Sequence, residues 1–360
     1  MSLFFDRLKN YAGLSDDDVA LVARCLDELA PQWAHFTDVT QANQIKVLEA
    51  FQKNQVADFH LNGSTGYGDT GRDVLERVWA DIFCAEKALV RSNLVSGTHA
   101  IATVLFGILR PGDEAVSISG LPYDTLQTVI GKSDDAQGTL REFGIHHKSV
   151  PLKDNDFDEA AIRAAVTPQT KMVMIQRSRG YEWRDSLSIE KIARACEIVK
   201  SISPEIVIFV DNCYGEFVED REPLEVGADI IAGSLIKNPG GGLAPRGGYI
   251  AGREDLVNAS AQRLTAPGIS DDVSSSLDFN RPAFQGLFMA PLIVEQALKG
   301  ASFAAAYLGA KGYVVSPTAD AQRTDIIQCV AFGDPDKLRK FCQGIQAASA
   351  LESYVTPYDD

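Results

Sequence analysis

Residues 233–245 read GSLIKNPGGGLAP and place a single lysine, Lys237, between an apolar run and a segment that no regular element can continue. The apolar residues 228–233 before it are typical of a buried strand, whereas Pro239 and the glycines after it forbid a simple helix and let the backbone approach a ligand closely. The sequence therefore predicts a lysine at the mouth of a strand. A lysine that is partly desolvated and near another cation has a lowered pKa and can form a Schiff base with an aldehyde. A surface loop lysine fits the same local pattern.

Composition bounds the class of protein. The chain has 360 residues, of which 45% are hydrophobic, enough for one large domain and a smaller one. A net charge of -15 argues against nucleic-acid and acidic-membrane partners, which bind basic surfaces. No apolar run approaches a membrane span and the N-terminus lacks a signal-peptide plan, so we expect a cytoplasmic protein. The six cysteines are scattered without metal-ligand spacing, so no metal site is expected.

The pattern of apolar residues predicts an α/β fold. Helices are expected at 15–29 and 41–54, and then again at 73–83, 100–109, 158–165 and 188–201. Seven strands are expected at 88–91, 115–119, 147–152, 172–176, 207–212, 229–236 and 248–252. Because helices and strands alternate, the prediction is a seven-stranded, mostly parallel sheet with helices on both faces.

A second, smaller α/β pattern follows a long apolar helical stretch at 284–308. It has strands at 312–316 and 325–331 and a helix at 337–348. The predicted division is a helical segment at 1–60, a major domain at 61–270 and a small C-terminal domain at 271–360. The small domain is expected to be incomplete, since two strands and one helix leave an open sheet edge.

Ligands in such sheets bind at the carboxyl ends of the strands, and polar residues follow several of the predicted strands. The Ser-Gly-Thr at 96–98 opens a helix and suits a phosphate, although an ordinary N-cap explains it as well. Tyr123 is either a stacking partner for a planar cofactor or ordinary packing. Arg177 and Arg179 indicate either anion recognition or solvated loop charge.

Asp211 ends a run of four apolar residues, which predicts a carboxylate at the edge of the core. Such a group needs a cation or hydrogen-bond donors. Lys237 lies 26 residues later at the end of the next strand, so the two side chains are expected to face one crevice. A plain ion pair is the alternative. The glycine-rich stretch 63–72 (GSTGYGDTGR) is either a functional loop or a mobile connector.

Five runs, taken in this order, carry a resemblance to a known family: STGYG at 64–68, SGTHA at 96–100, QRSRGY at 176–181, VDNCYGE at 210–216 and GSLIKNPGGG at 233–242. They resemble the pyridoxal-phosphate (PLP) dependent enzymes of the aspartate aminotransferase fold type, in the cysteine and methionine metabolism group. Within that group the chain is most similar to the methionine gamma-lyase-like family, whose members are also labelled aluminium-resistance proteins or cystathionine beta-lyases.

The resemblance implies a role for each matching residue. Lys237 would hold PLP as a Schiff base and move the proton at the substrate α-carbon, and Asp211 would pair with the pyridinium nitrogen. The remaining cofactor contacts would come from Ser96, Gly97, Thr98, Tyr123, Ser234 and Arg179. Tyr67, as a further catalytic residue, and Arg72 would reach the phosphate of a neighbouring subunit. Better-known relatives carry a Tyr-x-Arg triplet there and a hydroxyl residue at the position of Ile236.

The implied activity is that of a carbon-sulfur lyase acting on a sulfur-containing amino acid, in a homodimer or homotetramer with shared active sites. Transfer or racemisation with the same cofactor is one alternative. A stress-response or binding protein with little turnover is another. In relatives an arginine near the C-terminus binds the substrate carboxylate; the sequence favours a shortened chain without it, with Arg177 or Arg179 as the alternative source.

Overall fold

The computed structural model describes residues 3–132 and 136–358. The larger of two compact units contains Trp33–Lys299 and Gln322–Ile327. The smaller one contains the described residues before Trp33, the segment Gly300–Ala321 and those after Ile327. The three-part division expected from the sequence stays a prediction.

The helices are α1 (Leu3–Ala12), α2 (Asp16–Lys53), α3 (Thr70–Ile82), α4 (Gly97–Ile108), α5 (Asp124–Ile130), α6 (Glu159–Ala165), α7 (Ile189–Ile202), α8 (Glu254–Leu264), α9 (Asn280–Ala310) and α10 (Pro335–Ala348). The strands are β1 (Lys87–Arg91), β2 (Glu114–Ser117), β3 (His146–Ser149), β4 (Thr170–Gln176), β5 (Val207–Asp211), β6 (Ile230–Ser234), β7 (Gly248–Gly252), β8 (Val314–Ser316) and β9 (Cys329–Ala331). Within the described ranges, none of the helices is long and apolar enough to cross a membrane.

The main sheet confirms the predicted fold class. Its seven strands run in the order β1-β7-β6-β5-β4-β2-β3. The pairs β2–β3, β2–β4, β4–β5 and β5–β6 are parallel, whereas β7 is antiparallel to both neighbours. Strands β5 and β6 are buried along their whole length, as expected for strands covered on both faces. Strands β8 and β9 form a separate antiparallel pair in the smaller unit.

Alternate residues of the strands enter two different cores. Ile208 and Val210 of β5 pack on the face that contains Trp79 of α3, whereas Phe209 packs with Val104 of α4 on the other face. This alternation follows from the two-residue period of a strand. The sheet therefore has helices on both faces, as predicted.

One expected feature of the helical segment is wrong. The two helices predicted before residue 55 are a single helix, α2, that continues through Pro31. A proline inside a helix removes one hydrogen bond and disfavours continuation. Here the buried positions keep a spacing of three and four residues on both sides of it, with Cys25 and Leu29 before and Phe36 after, so the apolar stripe outweighs the local cost.

Candidate active site

Lys237 and Asp211 are brought together by the ends of two neighbouring strands. β5 ends at Asp211, its parallel neighbour β6 ends at Ser234, and Lys237 follows three residues later. Parallel strands present their carboxyl ends at one edge of the sheet, so both side chains lie in the same crevice. Asp211 is 7% exposed, and the charges of the two residues act on each other.

The surroundings of Lys237 correct one expectation from the sequence. Its ammonium nitrogen lies 4.1 Å from the centroid of the Tyr214 ring. Burial opposes its charge, but the acidic groups that face it, led by Cys213 and Asp211, raise its pKa above the ordinary lysine value. The expected lowering of the pKa by a nearby cation is therefore wrong, because the charged group that acts on Lys237 is the carboxylate of Asp211 and not a second cation. The amine is protonated at neutral pH and must lose a proton before it attacks a carbonyl carbon.

Asp211 is held by donors from the residue two positions after it. The backbone amide of Cys213 donates to Asp211 Oδ1 at 3.1 Å, and the Cys213 thiol also bonds to the carboxylate. Burial raises the pKa of Asp211, while the charge of Lys237 and these hydrogen bonds oppose the rise. The sequence reasoning missed this role of Cys213 and counted it only among the scattered cysteines. Its spacing of two residues from Asp211, which keeps side chains on one face of an extended chain, was the available signal.

The N-terminus of α4 and Ser234 bring together polar groups of the kind that bind a phosphate. Ser96 caps the helix and accepts the amide of His99 at 3.1 Å, while Gly97 and Thr98 supply amides from the first turn, where a helix leaves its N–H groups without internal partners. A Cβ on Gly97 would lie 3.2 Å from the Cβ of Ser234, so a side chain here would press against Ser234. Ser234 Oγ is buried without a hydrogen-bond partner among the described residues. A buried hydroxyl of this kind requires a ligand or water.

Tyr123 contacts both the N-terminus of α4 and the strand next to Asp211. Its hydroxyl lies 2.8 Å from Thr98 Oγ1, and its backbone amide donates to Gln176 Oε1 at 2.9 Å. Gln176 is the register partner of Asp211 on the adjacent strand. The half-buried Tyr123 ring is therefore placed between the helix N-terminus and the carboxylate, where it can stack on a planar molecule.

Arg177 belongs to a buried ion network. Its guanidinium lies 2.7 Å from Glu219 Oε2, 2.8 Å from Asn212 Oδ1 and 3.4 Å from Glu222 Oε2, and the side chain is fully buried. Moving it onto a substrate would leave buried carboxylates unpaired, at a high energetic cost. The structure therefore gives Arg177 the task of anchoring the segment that follows Asp211, and removes it as a source of the substrate clamp.

Arg179 lies beside a second arginine that the sequence reasoning missed. It is 1% exposed, donates from Nε to the carbonyl of Glu182 at 3.1 Å and lies over the Trp183 ring. The pKa of Arg323 is lowered to about 10, chiefly by burial and in part by the like charge of Arg179, whereas the charge of Asp325 opposes the change. The two arginines therefore lie together with the buried Asp325, whose carboxylate accepts the Arg179 amide at 3.3 Å. The role of Arg179 in holding a ligand stays a prediction.

Tyr67 and Arg72 differ sharply in exposure. Tyr67 is 77% exposed, whereas Arg72 is 3% exposed. The Arg72 guanidinium bonds to Asp73 at 3.3 Å and to the carbonyls of Ser274 at 3.2 Å and Asp272 at 3.3 Å. A contact of Arg72 with a neighbouring subunit's phosphate, still a prediction, would require these bonds to be replaced.

Glu216, which carries a buried carboxyl group, contacts the residue that follows Lys237. Glu216 is fully buried and accepts the Tyr249 hydroxyl at 2.8 Å. Its backbone carbonyl accepts the side-chain amide of Asn238, the residue after Lys237, at 3.0 Å. Burial raises the pKa of Glu216 to about 8 against the opposing Tyr249 hydrogen bond, so the group is mostly neutral at pH 7.

This raised pKa makes the stability of the protein depend on pH. Between about 4.5 and 8 the folded state holds a proton on Glu216 that the unfolded state has lost, so the contribution to stability is complete below pH 4.5 and lost as pH rises through 8. The Glu216→Gln variant lacks this loss and keeps an acceptor for Tyr249. In that window we expect the unfolding free energy of the variant, minus that of the wild type, to increase by up to about 1.4 kcal/mol for each unit of pH. Urea unfolding between pH 5 and 9 measures the difference.

Glu49→Gln, the same replacement at an exposed glutamate, is the matched control and is measured over the same pH range. A pH-independent difference between Glu216→Gln and the wild type would contradict the assignment.

The fold and the site define the class of protein. The PLP-dependent protein YhfS of Escherichia coli shares the fold, with a TM-score of 0.65 over 87% of this chain and 81% of that one at 16% identity. The model of the methionine gamma-lyase family matches residues 19–360, and this chain belongs to that family. The resemblance seen in the sequence is confirmed.

Relatives over most of the chain have also been found. The uncharacterized protein YnbB of Bacillus subtilis is 48% identical over 325 residues, which cover 89% of this chain and 77% of YnbB. A solved structure from Clostridium novyi, described as a carbon-sulfur lyase involved in aluminum resistance, has a TM-score of 0.96 at 43% identity and covers 100% of this chain and 87% of that one. One from Listeria monocytogenes, provisionally described as a cystathionine beta-lyase involved in aluminum resistance, has a TM-score of 0.93 at 52% identity, with coverage of 95% and 85%.

Proposed function

We propose that this protein is a PLP-dependent carbon-sulfur lyase that acts on a sulfur-containing amino acid. The observation that carries the proposal is the pair of Lys237 and buried Asp211 at the ends of adjacent parallel strands, in a crevice that begins at a helix N-terminus. A lysine, a carboxylate and a phosphate cradle are the three groups that PLP requires of a protein. Membership of the methionine gamma-lyase family supports the same chemistry.

The residues present fit the cofactor. The amides of Gly97 and Thr98 and the partnerless Ser234 hydroxyl suit the phosphate. Asp211 suits the ring nitrogen and Tyr123 the ring face. When bound, PLP supplies a conjugated ring that accepts the electron pair left on the substrate α-carbon after proton loss.

The side chains of this chain would then divide the work. Lys237 would take the proton from the α-carbon, for which its raised pKa makes it a strong acceptor once it is neutral. Asp211, kept dry by burial, would hold a positive charge on the ring nitrogen without reorganising during the reaction. Arg179 is the candidate for an anionic group of the cofactor or the substrate.

Assembly and location are part of the proposal. We infer a cytoplasmic homodimer or homotetramer with shared active sites, because the exposed Tyr67 lies in the glycine-rich stretch 63–72, whose backbone can approach a second subunit closely. Tyr67 and Arg72 would then act on the neighbouring site.

The products of candidate substrates test the lyase directly. The PLP-loaded protein is incubated with L-cystathionine or L-methionine, and keto acid, ammonia and free thiol are measured. Elimination at the β carbon of cystathionine releases pyruvate, ammonia and homocysteine; elimination at the γ carbon of methionine releases 2-oxobutyrate, ammonia and methanethiol. We expect one of these sets in equal amounts.

The rival functions give different results in the same experiment. Racemisation would change the optical activity without keto acid. Transfer of the amino group would give at most one keto acid per bound PLP and no ammonia, because the assay contains no second keto acid to accept the group. Bound cofactor with no product from any sulfur amino acid would favour a stress-response or binding protein and would contradict the lyase.

A further inference from the structure

Tyr214, which neither the sequence reasoning nor the proposed cofactor contacts use, has an unusual backbone. Its φ is 70°, in the left-handed region that residues other than glycine rarely adopt. It lies three residues after Asp211 at the mouth of β5. Strained backbone of this kind persists only where the surrounding structure fixes it, and it is concentrated at functional sites.

The surroundings of Tyr214 do fix it. On one side Asn212 donates to Glu222 at 2.9 Å and receives Arg177 at 2.8 Å. On the other side Gly215 lies against the Arg177 side chain so closely that an added Cβ would be 2.5 Å from its Cδ. The buried ion network therefore holds the chain on both sides of Tyr214, at Asn212 and at Gly215, and restricts the backbone between them.

The consequence of this backbone is the position of the aromatic ring. The half-buried Tyr214 ring faces Lys237 Nζ at 4.1 Å from the ring centroid. A cation within about 6 Å of an aromatic face is attracted by the negative charge of that face, and the attraction grows when water is excluded. The strain at Tyr214 thus presents an aromatic face to the ammonium group.

We propose that Tyr214 is a positioning residue for Lys237, whose ammonium group its aromatic face holds in the crevice of Asp211. The groups that also act on Lys237 are Asp211 of β5, Cys213 and Glu216 of the following segment, and Tyr123 before α5. Tyr214 differs from these groups in the aromatic face that it presents to the ammonium group. In catalysis, which rests on the proposed function, the ring would stabilise the lysine after it has taken the substrate proton.

A double-mutant cycle on the full chain measures this contact without any activity. Tyr214→Gly removes the ring and suits the left-handed backbone, so it should fold. Tyr214→Phe keeps the aromatic face. Each is combined with Lys237→Met, which keeps the stem and removes the charge, and the unfolding equilibrium is measured in urea after hydroxylamine has removed any bound aldehyde.

Tyr214→Gly should raise the unfolding constant more when residue 237 is lysine than when it is methionine. We expect the two increases to differ by a factor on the order of five to ten. Tyr214→Phe should give a factor close to one. Equal effects of Tyr214→Gly in both backgrounds would overturn the proposal. The same holds if Tyr214→Phe loses as much of the coupling to Lys237 as Tyr214→Gly does, because the hydroxyl and not the ring face would then be responsible.

A second measurement addresses the catalytic part alone. In the loaded enzyme, Tyr214→Gly should lower kcat with little change in KM, and Tyr214→Phe should keep kcat within about twofold. A normal kcat in Tyr214→Gly would overturn the catalytic role. If the protein turns over none of the sulfur amino acids, the proposed function fails while the stability cycle still decides the contact between Tyr214 and Lys237.

Discussion

Replacing Lys237 with alanine is expected to abolish both the visible absorption of covalently bound PLP and all lyase turnover, while the fold stays intact. Lys237 is half-buried in an irregular segment after β6, so its side chain contributes little to the core. The phosphate cradle at α4 does not depend on it, so PLP should still bind weakly and reversibly. Absorption spectra after gel filtration, with circular dichroism as the check on folding, measure the two effects.

Lys171→Ala is the matched control, because this exposed lysine on β4 lies in the same sheet and should leave absorption and turnover unchanged. A Lys237→Ala protein that keeps the cofactor's visible absorption after gel filtration would mean that another lysine holds it.

Replacing Asp211 with alanine is expected to keep the cofactor bound but to raise the activation free energy by about two to four kcal/mol, which lowers kcat on the order of 30- to 1,000-fold. The buried carboxylate would hold a positive charge on the ring nitrogen of bound PLP, and that charge matters most in the transition state, so we expect its loss to raise the barrier more than it weakens binding. Steady-state rates with saturating substrate, beside the cofactor's dissociation constant, separate the two.

Asp211→Asn is the conservative control for this change. It keeps the shape and the hydrogen bond acceptor for the amide of Cys213 but removes the charge. We expect it to lose nearly as much activity as the alanine variant. A rate close to the wild type in either variant would show that a different group acts on the ring nitrogen.

The fold could be predicted because its signals are local. The strands β5 and β6 are apolar along their whole length, since both of their faces are covered, and the chain between them is long enough for a parallel crossover. The same signals place Asp211 and Lys237 at strand ends, which made the pair visible in the sequence. The single helix α2 was missed because Pro31 is a local signal that the surrounding apolar stripe overrides.

The properties of the site could not be predicted in the same way because they depend on distant groups. Arg177 and Arg179 stand two residues apart and look alike in the sequence, yet Arg177 pairs with Glu219 and Glu222, whereas Arg179 donates to the carbonyl of Glu182. The direction of the Lys237 pKa depends on which charges surround it after folding. No sequence pattern shows that the ring of Tyr214 faces the ammonium group.

The central claim is that Lys237 is the residue that binds PLP, and borohydride reduction of the loaded protein followed by peptide mass spectrometry tests it most directly. Reduction fixes the cofactor on whichever amine carries it. The account predicts one added pyridoxyl phosphate group per chain, on the peptide that contains Lys237, and none on that peptide when PLP is omitted. Labelling of other lysines with Lys237 left unmodified would contradict it.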